Sequence, residues 1–373
     1  MKRSHQPLNV LQVLPALNSG GVERGTVEFA NELVLRGHRS TVISNGGQLV
    51  EELEKNGSVH IQVPVHRKSL VSLLQVKRVR TILKELKPDV IHVRSRAPAW
   101  IIWLAWRKLP KENRPHLVST FHGMYSVNKY SAIMAKAEHC IAISDCVRTY
   151  MLSNYAIDPS KITRIYRGLD PKSFNLNACT DDWKAALFDQ YPELRDKKII
   201  LMPGRLSRWK GQEAFLTMMH TLIKLRPDCH GVIVGAAEPQ KEHYETELVT
   251  LQGKLGLDSH VSFVGHRNDI QAFYGLADIT CHMSNKAEPF GRTVPEALAC
   301  GCPVVAYDRG GASESLNAGF PDGLVEPDNI EAFANRIAAL IDTRPSFHLP
   351  HEFYLEQQVE KTLSVYKKLI RDA

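Results

Sequence analysis

Two carboxylates, Glu288 and Glu296, stand eight positions apart in the string Glu-Pro-Phe-Gly-Arg-Thr-Val-Pro-Glu. The first falls in a loop with Pro289 and Gly291, and the second opens a helix in which Pro295 suits the first turn. Gly291 restricts the backbone little, so backbone N–H groups of this loop can approach a ligand closely. Glu296 can accept hydrogen bonds from two vicinal hydroxyls, as a ribose presents them. An acidic first turn set against a helix dipole would also show one such glutamate. It would not require the whole string at the end of a strand. A second string, Met202-Pro-Gly-Arg-Leu-Ser-Arg-Trp-Lys-Gly211, places Gly204, Arg205 and Lys210 between a strand and a helix. A forked guanidinium, an ammonium and a helix start are what a phosphate group needs. Two cations at that place would stabilise a departing diphosphate without a metal.

These strings need elements to position them. Short β-branched runs alternate with helical patterns along the chain. Strands are expected at Leu8–Leu14, Ser40–Ile43, Val59–Val63, Val90–Val93, Leu117–Thr120 and Cys140–Ser144. Helices are expected at Val22–Arg36, stopped by Gly37, at Leu70–Leu86 and from Asp145. A short strand and turn at Ile162–Asp170 precede a polar stretch, Pro171–Lys197, that reads as a linker with a first helix. Alternation then restarts with strands at Lys198–Met202, Gly231–Val234, Val261–Val264, Ile279–His282 and Pro303–Ala306, and helices at Gly211–Leu225 and Glu296–Ala299. The pattern predicts an α/β protein of two doubly wound parallel sheets. The expected division is 1–175 and 176–351, with a terminal helix over 352–373 packing back on the first domain.

The two strings, in this order and about 80 residues apart, resemble family 4 of the retaining glycosyltransferases, the group of GT-B fold in which two Rossmann-like domains face a central cleft. The likeness extends over most of the chain. It implies that Arg205 and Lys210 hold the diphosphate of a nucleotide sugar, that Glu296 binds the ribose, and that Glu288 meets the donor sugar, with the backbone at Phe290, Gly291 and Arg292 close to the sugar or phosphate. It further matches Gly20 and Gly21 with a glycine pair whose backbone lies near the diphosphate and acceptor, and His122 with a histidine aimed at the donor sugar. Gly265 and His266 match a loop that reads the base, and Gly310, Gly311 and Glu314 a structural turn. One departure is Ser284-Asn-Lys-Ala before Glu288, where Lys286 adds a charge near the sugar. The implied outcome is retention by front-face attack, the leaving phosphate accepting the acceptor's proton while the cleft closes. No Asp-x-Asp string is present, and neither a metal nor a cofactor is expected.

The acceptor is less legible. Residues 1–175 hold 26 lysines and arginines against 13 acidic residues, and residues 176–373 hold 21 against 27, so the first half is basic. That asymmetry fits either an anionic partner or a solvated basic face. Trp100, Trp103 and Trp106, three apart, share a helix face, which suits buried core or a helix at an anionic membrane surface. A saccharide or glycolipid acceptor such as lipopolysaccharide core suits the second. Uridine diphosphate sugars are the first expectation for the donor and guanosine diphosphate mannose the second. The longest apolar stretch, Ala97–Leu104, is too short to span a bilayer, and the start reads as a strand rather than a leader. The expectation is a cytoplasmic protein, or one peripheral at the inner face of the cytoplasmic membrane. Seven cysteines without a Cys-x-x-Cys pair fit free thiols in a reducing compartment. A GT-B epimerase lacks its signature carboxylates here, the chain is too short for a glycogen-type phosphorylase, and no recognition-helix, RNP or zinc-finger pattern supports nucleic-acid binding. A degenerate, non-catalytic member of the family would not be expected to keep all four donor-site side chains.

Overall fold

The computed structural model describes residues 6–18, 20–66, 70–238, 241–343 and 345–372. Residues 1–5, which begin the stretch weighed above as a leader, and Ser19, beside the glycine pair, lie outside the described residues. The chain forms two compact units, Met1–Gly168 with Leu355–Ala373, and Leu169–Tyr354.

In the first unit the chain runs β1 (Asn9–Val13), α1 (Gly21–Leu35), β2 (Arg39–Ser44), α2 (Val50–Lys55), β3 (Val59–Gln62), α3 (Leu70–Leu86), β4 (Val90–Val93), α4 (Arg96–Trp106), β5 (His116–Phe121), β6 (His139–Ala142), α5 (Asp145–Asn154) and β7 (Ile162–Arg164). The seven strands pair in parallel in the order β3-β2-β1-β4-β5-β6-β7. The order reverses between β1 and β4, which is where a doubly wound sheet opens a crevice beyond its strand ends. Parallel strands covered on both faces read as apolar runs, and β4 is buried at all four positions.

The second unit contains α6 (Asp181–Gln190), β8 (Lys198–Pro203), α7 (Gln212–Leu225), β9 (Cys229–Val234), α8 (His243–Lys254), β10 (Val261–Phe263), α9 (Ile270–Leu276), β11 (Ile279–His282), α10 (Thr293–Ala299), β12 (Val304–Tyr307), α11 (Gly310–Gly319), β13 (Leu324–Val325) and α12 (Ile330–Leu340). Its sheet is parallel throughout, in the order β10-β9-β8-β11-β12-β13, reversing between β8 and β11. Phe215, Met219, Ile233, Cys281, Val305 and Phe333 belong to one core between this sheet and its helices.

The terminal helix α13 (Leu355–Arg371) is amphipathic, and Val359, Leu363 and Tyr366 enter the core that holds Val10, Phe29 and Val118 of the first unit. The units divide at Gly168 rather than at the composition change near 175. The Leu169 N–H donates to the Phe353 carbonyl at 2.8 Å, and Leu169 bridges Tyr354, so residues 169–175 travel with the second unit.

Candidate functional site

Lys210 and Glu288 lie 78 positions apart in sequence, yet the second unit joins them. Lys210 follows β8, Glu288 follows β11, and the two strands are neighbours at the point of reversal. The Lys210 Nζ donates to Glu288 Oε1 at 2.7 Å. On the same oxygen converge His282 Nε2, at 3.0 Å, and the Ser284 hydroxyl, at 2.5 Å. Oε2 takes none of the three. Glu288 is only 6% exposed. Burial pushes its carboxyl up, but His282 and Lys210 outweigh burial and hold it well below the usual carboxylate range. It is a fixed anion with one oxygen tied down.

The backbone around this cluster is shaped by glycine. Gly211 has φ +89°, and a Cβ there would come 2.0 Å from the Met283 carbonyl oxygen. The turn that aims Lys210 can pack this closely against the strand carrying His282 because the position has no side chain. Gly291, at φ +74°, likewise lets the loop after Glu288 press on α11, where a Cβ would lie 2.6 Å from that of Ala312. Gly310 and Gly311 are the first residues of α11 rather than a free-standing turn, and the Gly311 N–H donates to the Glu288 carbonyl at 2.8 Å. Glu314 lies within the same helix.

Glu296 sits in α10 and is 8% exposed. Its Oε1 accepts from Arg292 Nε at 2.8 Å and its Oε2 from the Tyr274 hydroxyl at 3.1 Å. Each oxygen keeps a second lone pair. Burial, then the neighbouring Glu296, push the Tyr274 phenol well up, so it stays a donor. The Phe290 ring is buried, tilted against Phe353 with centroids 6.3 Å apart, and belongs to the core. Its backbone is what remains for a ligand. Arg205 is half-exposed and pairs with Glu238, whose other oxygen takes Lys241 Nζ. Gly204 and Gly265 close β8 and β10 with left-handed backbones, and His266 is exposed.

Sequence reasoning missed His282, Ser284, Tyr274 and Glu238. His282 alone carried a signal: it is the polar residue that ends an apolar strand.

The remaining expected residues belong to the first unit. Gly20 precedes α1 in extended conformation, and the Gly21 carbonyl accepts from Arg167. His122 follows β5. Both of its ring nitrogens are buried without a hydrogen-bond partner. Burial, then Arg167, Arg94 and His92, drive its basicity well below that of ordinary histidine, so the ring is neutral. The tryptophans are half-buried in α4. Trp100 Nε1 donates to the Tyr130 carbonyl at 3.0 Å and Trp106 Nε1 to the Pro115 carbonyl at 2.7 Å. The Trp103 ring meets the Arg107 guanidinium at 4.3 Å and Lys136 Nζ at 5.4 Å. The seven cysteines are thiols outside any disulfide, with Cys300 and Cys302 buried. Among the described residues, no group of three or more His, Cys, Asp or Glu could hold a metal ion. Among them, too, no helix is long and apolar enough to cross a membrane.

Two family models match, Glycosyltransferase Family 4 over residues 19–173 and Glycosyl transferases group 1 over residues 184–354. A crystal structure of a glycosyltransferase from Rickettsia africae ESF-5 is 33% identical, with TM-score 0.85 over 98% of this chain and 100% of that one. The lipopolysaccharide core biosynthesis mannosyltransferase LpsB of Rhizobium meliloti (strain 1021) is 30% identical over 56% of this chain and 61% of its own length. The fold is shared by Anabaena Alr3699/HepE in complex with UDP and glucose, 23% identical with TM-score 0.75 over 97% of this chain and 95% of that one. With two parallel Rossmann-like sheets and matches over both, the chain belongs to glycosyltransferase family 4 of the GT-B fold and is a glycosyl-transferring enzyme.

Proposed function

We propose that this enzyme moves a hexose from a nucleoside diphosphate sugar to a saccharide or lipid-linked acceptor, with retention and without a metal. The observation that carries the reading is the fixed Glu288 carboxylate, held on one oxygen by Lys210, His282 and Ser284 beside the Glu296–Tyr274 pair. Oε2 of Glu288 is placed to accept sugar hydroxyls, and the spare lone pairs of Glu296 suit the two hydroxyls of a ribose. Lys210 and Arg205 supply positive charge as the bond to the diphosphate breaks. Arg205 exchanges a half-exposed surface pair with Glu238 for the phosphate, and a surface pair costs little to give up. No carboxylate of the first unit is assigned as a nucleophile. The acceptor oxygen therefore attacks from the face the diphosphate leaves, and the departing phosphate oxygen takes the proton.

A uridine diphosphate sugar is the first choice of donor, supported by the UDP complex of the Anabaena neighbour. Guanosine diphosphate mannose is second, supported by the mannosyl transfer of the Rhizobium relative, whose lipopolysaccharide role also supports a core-type acceptor. Attachment to an anionic membrane through α4 and its basic neighbours is part of this reading. Salt-dependent sedimentation with anionic vesicles tests it, and absence of binding removes it.

The test of the whole is a thermal-shift screen of nucleotide sugars, followed by turnover in excess EDTA. At a hundredfold its Kd, a donor stabilises by about 2.7 kcal/mol. The expected result is a shift with one diphosphate sugar, lost in Glu296→Ala and Arg205→Ala, and an axial-to-axial or equatorial-to-equatorial product by NMR. No shift with any nucleotide sugar or diphosphate overturns the reading.

A further inference from the structure

The first unit holds a charged pocket of which the transfer reading uses His122 alone. Arg94 leaves the end of β4, His122 the end of β5, and Arg167 follows β7, two strands along from β5, so three strand ends on one side of the sheet face one hollow, closed by Gln358 and Thr362 of α13. Arg94 is 3% exposed. Among the described residues it makes no ion pair: its Nε donates to the neutral Gln12 Oε1 at 2.7 Å, and its guanidinium lies 5.5 Å from the Phe29 ring centroid. Burial lowers its pKa to about 10, so it is charged at neutral pH. A buried cation without an ion pair is costly unless something answers it. Arg167 lies on the same wall, with its Nη2 3.3 Å from where a Gly25 Cβ would stand. Glu28 of α1 lies beside it, with Oε2 3.9 Å from that same point. The lining of the hollow holds two guanidiniums and, among the described residues, no carboxylate.

The two histidines of the pocket differ. His92 is satisfied on both nitrogens, by Tyr366 and Thr120 at 2.6 Å each. His122 is satisfied on neither. A neutral imidazole offers one donor and one acceptor, and both are unused beside the two guanidiniums. The N–H suits an anionic oxygen and the bare nitrogen suits a neighbouring hydroxyl. A uronate or a sugar phosphate carries both kinds of group.

We propose that Arg94, Arg167 and His122 form a subsite for an acidic group on a sugar, so that one of the two substrates of this enzyme is a uronate or a sugar phosphate. This rests on the transfer reading and names a substrate class for it. Charge-assisted hydrogen bonds to guanidinium are worth about tenfold or more in affinity each.

The test follows the ring signals of 13C-histidine-labelled enzyme, with His122 assigned from a His122→Gln variant. Glucuronate and glucose 6-phosphate are titrated against glucose, and UDP-glucuronate against UDP-glucose. We expect an acidic member to shift the His122 signal saturably, to raise its pKa, and to bind at least about tenfold more tightly than its neutral counterpart. A response to the free sugar acids assigns the charge to the acceptor, and a response confined to UDP-glucuronate assigns it to the donor. The preference should vanish in Arg167→Gln, whose residue lies at the half-exposed rim, and in Arg94→Gln, and persist in Arg94→Lys. Acidic and neutral probes bound alike, or a preference kept in Arg167→Gln, overturns the subsite. Nucleotide binding lost in Glu296→Ala, with no acid preference in the wild type, refutes this subsite alone. No nucleotide binding at all refutes the transfer reading instead.

Discussion

Replacing Glu288 by Gln keeps the shape and removes the charge on which Lys210, His282 and Ser284 converge. Hydrogen bonds to a charged group contribute about 1.5–3 kcal/mol each. The three share one oxygen, so their contributions do not add in full. Glutamine can still accept from Ser284. A net loss of about 2–4 kcal/mol at pH 7.5 is therefore expected. Its pH dependence carries the diagnostic. An unfolded glutamate titrates near 4.5, and the native Glu288 carboxyl is held lower. As pH falls through 4.5, the unfolded chain takes up the proton that the native state refuses. The stabilisation is complete above the unfolded value and drains away as pH falls toward the native one. Urea unfolding of wild type and Glu288→Gln at pH 7.5, 5.5 and 4.0, monitored by tryptophan fluorescence, should show a gap that narrows at the lowest pH. A double-mutant cycle with Lys210→Met should give a coupling above about 0.5 kcal/mol. Equal stability at pH 7.5, or a gap that widens toward acid, would refute the argument that this carboxylate is held as a fixed anion.

Three further outcomes are expected. His122→Leu should abolish transfer while leaving the thermal midpoint unchanged or raised, because two buried, unpartnered ring nitrogens are removed; a large drop in midpoint would show that the ring is structural. Tyr274→Phe removes a hydroxyl that supports Glu296 at 3.1 Å, and should cost about 0.5–1.5 kcal/mol and raise the donor KM with little change in kcat. An unchanged KM sinks that assignment. Gly211→Ala forces a left-handed residue's Cβ into the Met283 carbonyl and should destabilise by more than about 1 kcal/mol; calorimetry showing a neutral or stabilising change would contradict the geometry.

Much of the site could be read from the chain because its parts are local. The Glu288–Glu296 string, the turn with Arg205 and Lys210, and the strands before them are each defined within about ten consecutive residues, where the periods of strand and helix write themselves into residue type. Short helices such as α2 and α9, at six and seven residues, and the two-residue β13 carry too few turns or alternations to show a period. The resemblance implies a structural turn at Gly310 and Gly311, and two glycines carry no helical period to say otherwise. The tertiary packing of that segment under Glu288 decides otherwise.

Sequence by itself determined two α/β halves, their parallel alternation and the two strings that carry Glu288, Glu296, Arg205 and Lys210. Tertiary structure alone decided which side chains answer them: His282 and Ser284 on Glu288, Tyr274 on Glu296, Glu238 on Arg205. It also gathered Arg94, His122 and Arg167 from three strand ends into one pocket, with α13 returning from the far end of the chain to close it. The reason is range. Periodicity reports the face a residue presents within its own element, whereas strand order, set by burying whole faces against one another, decides which distant strand ends become neighbours.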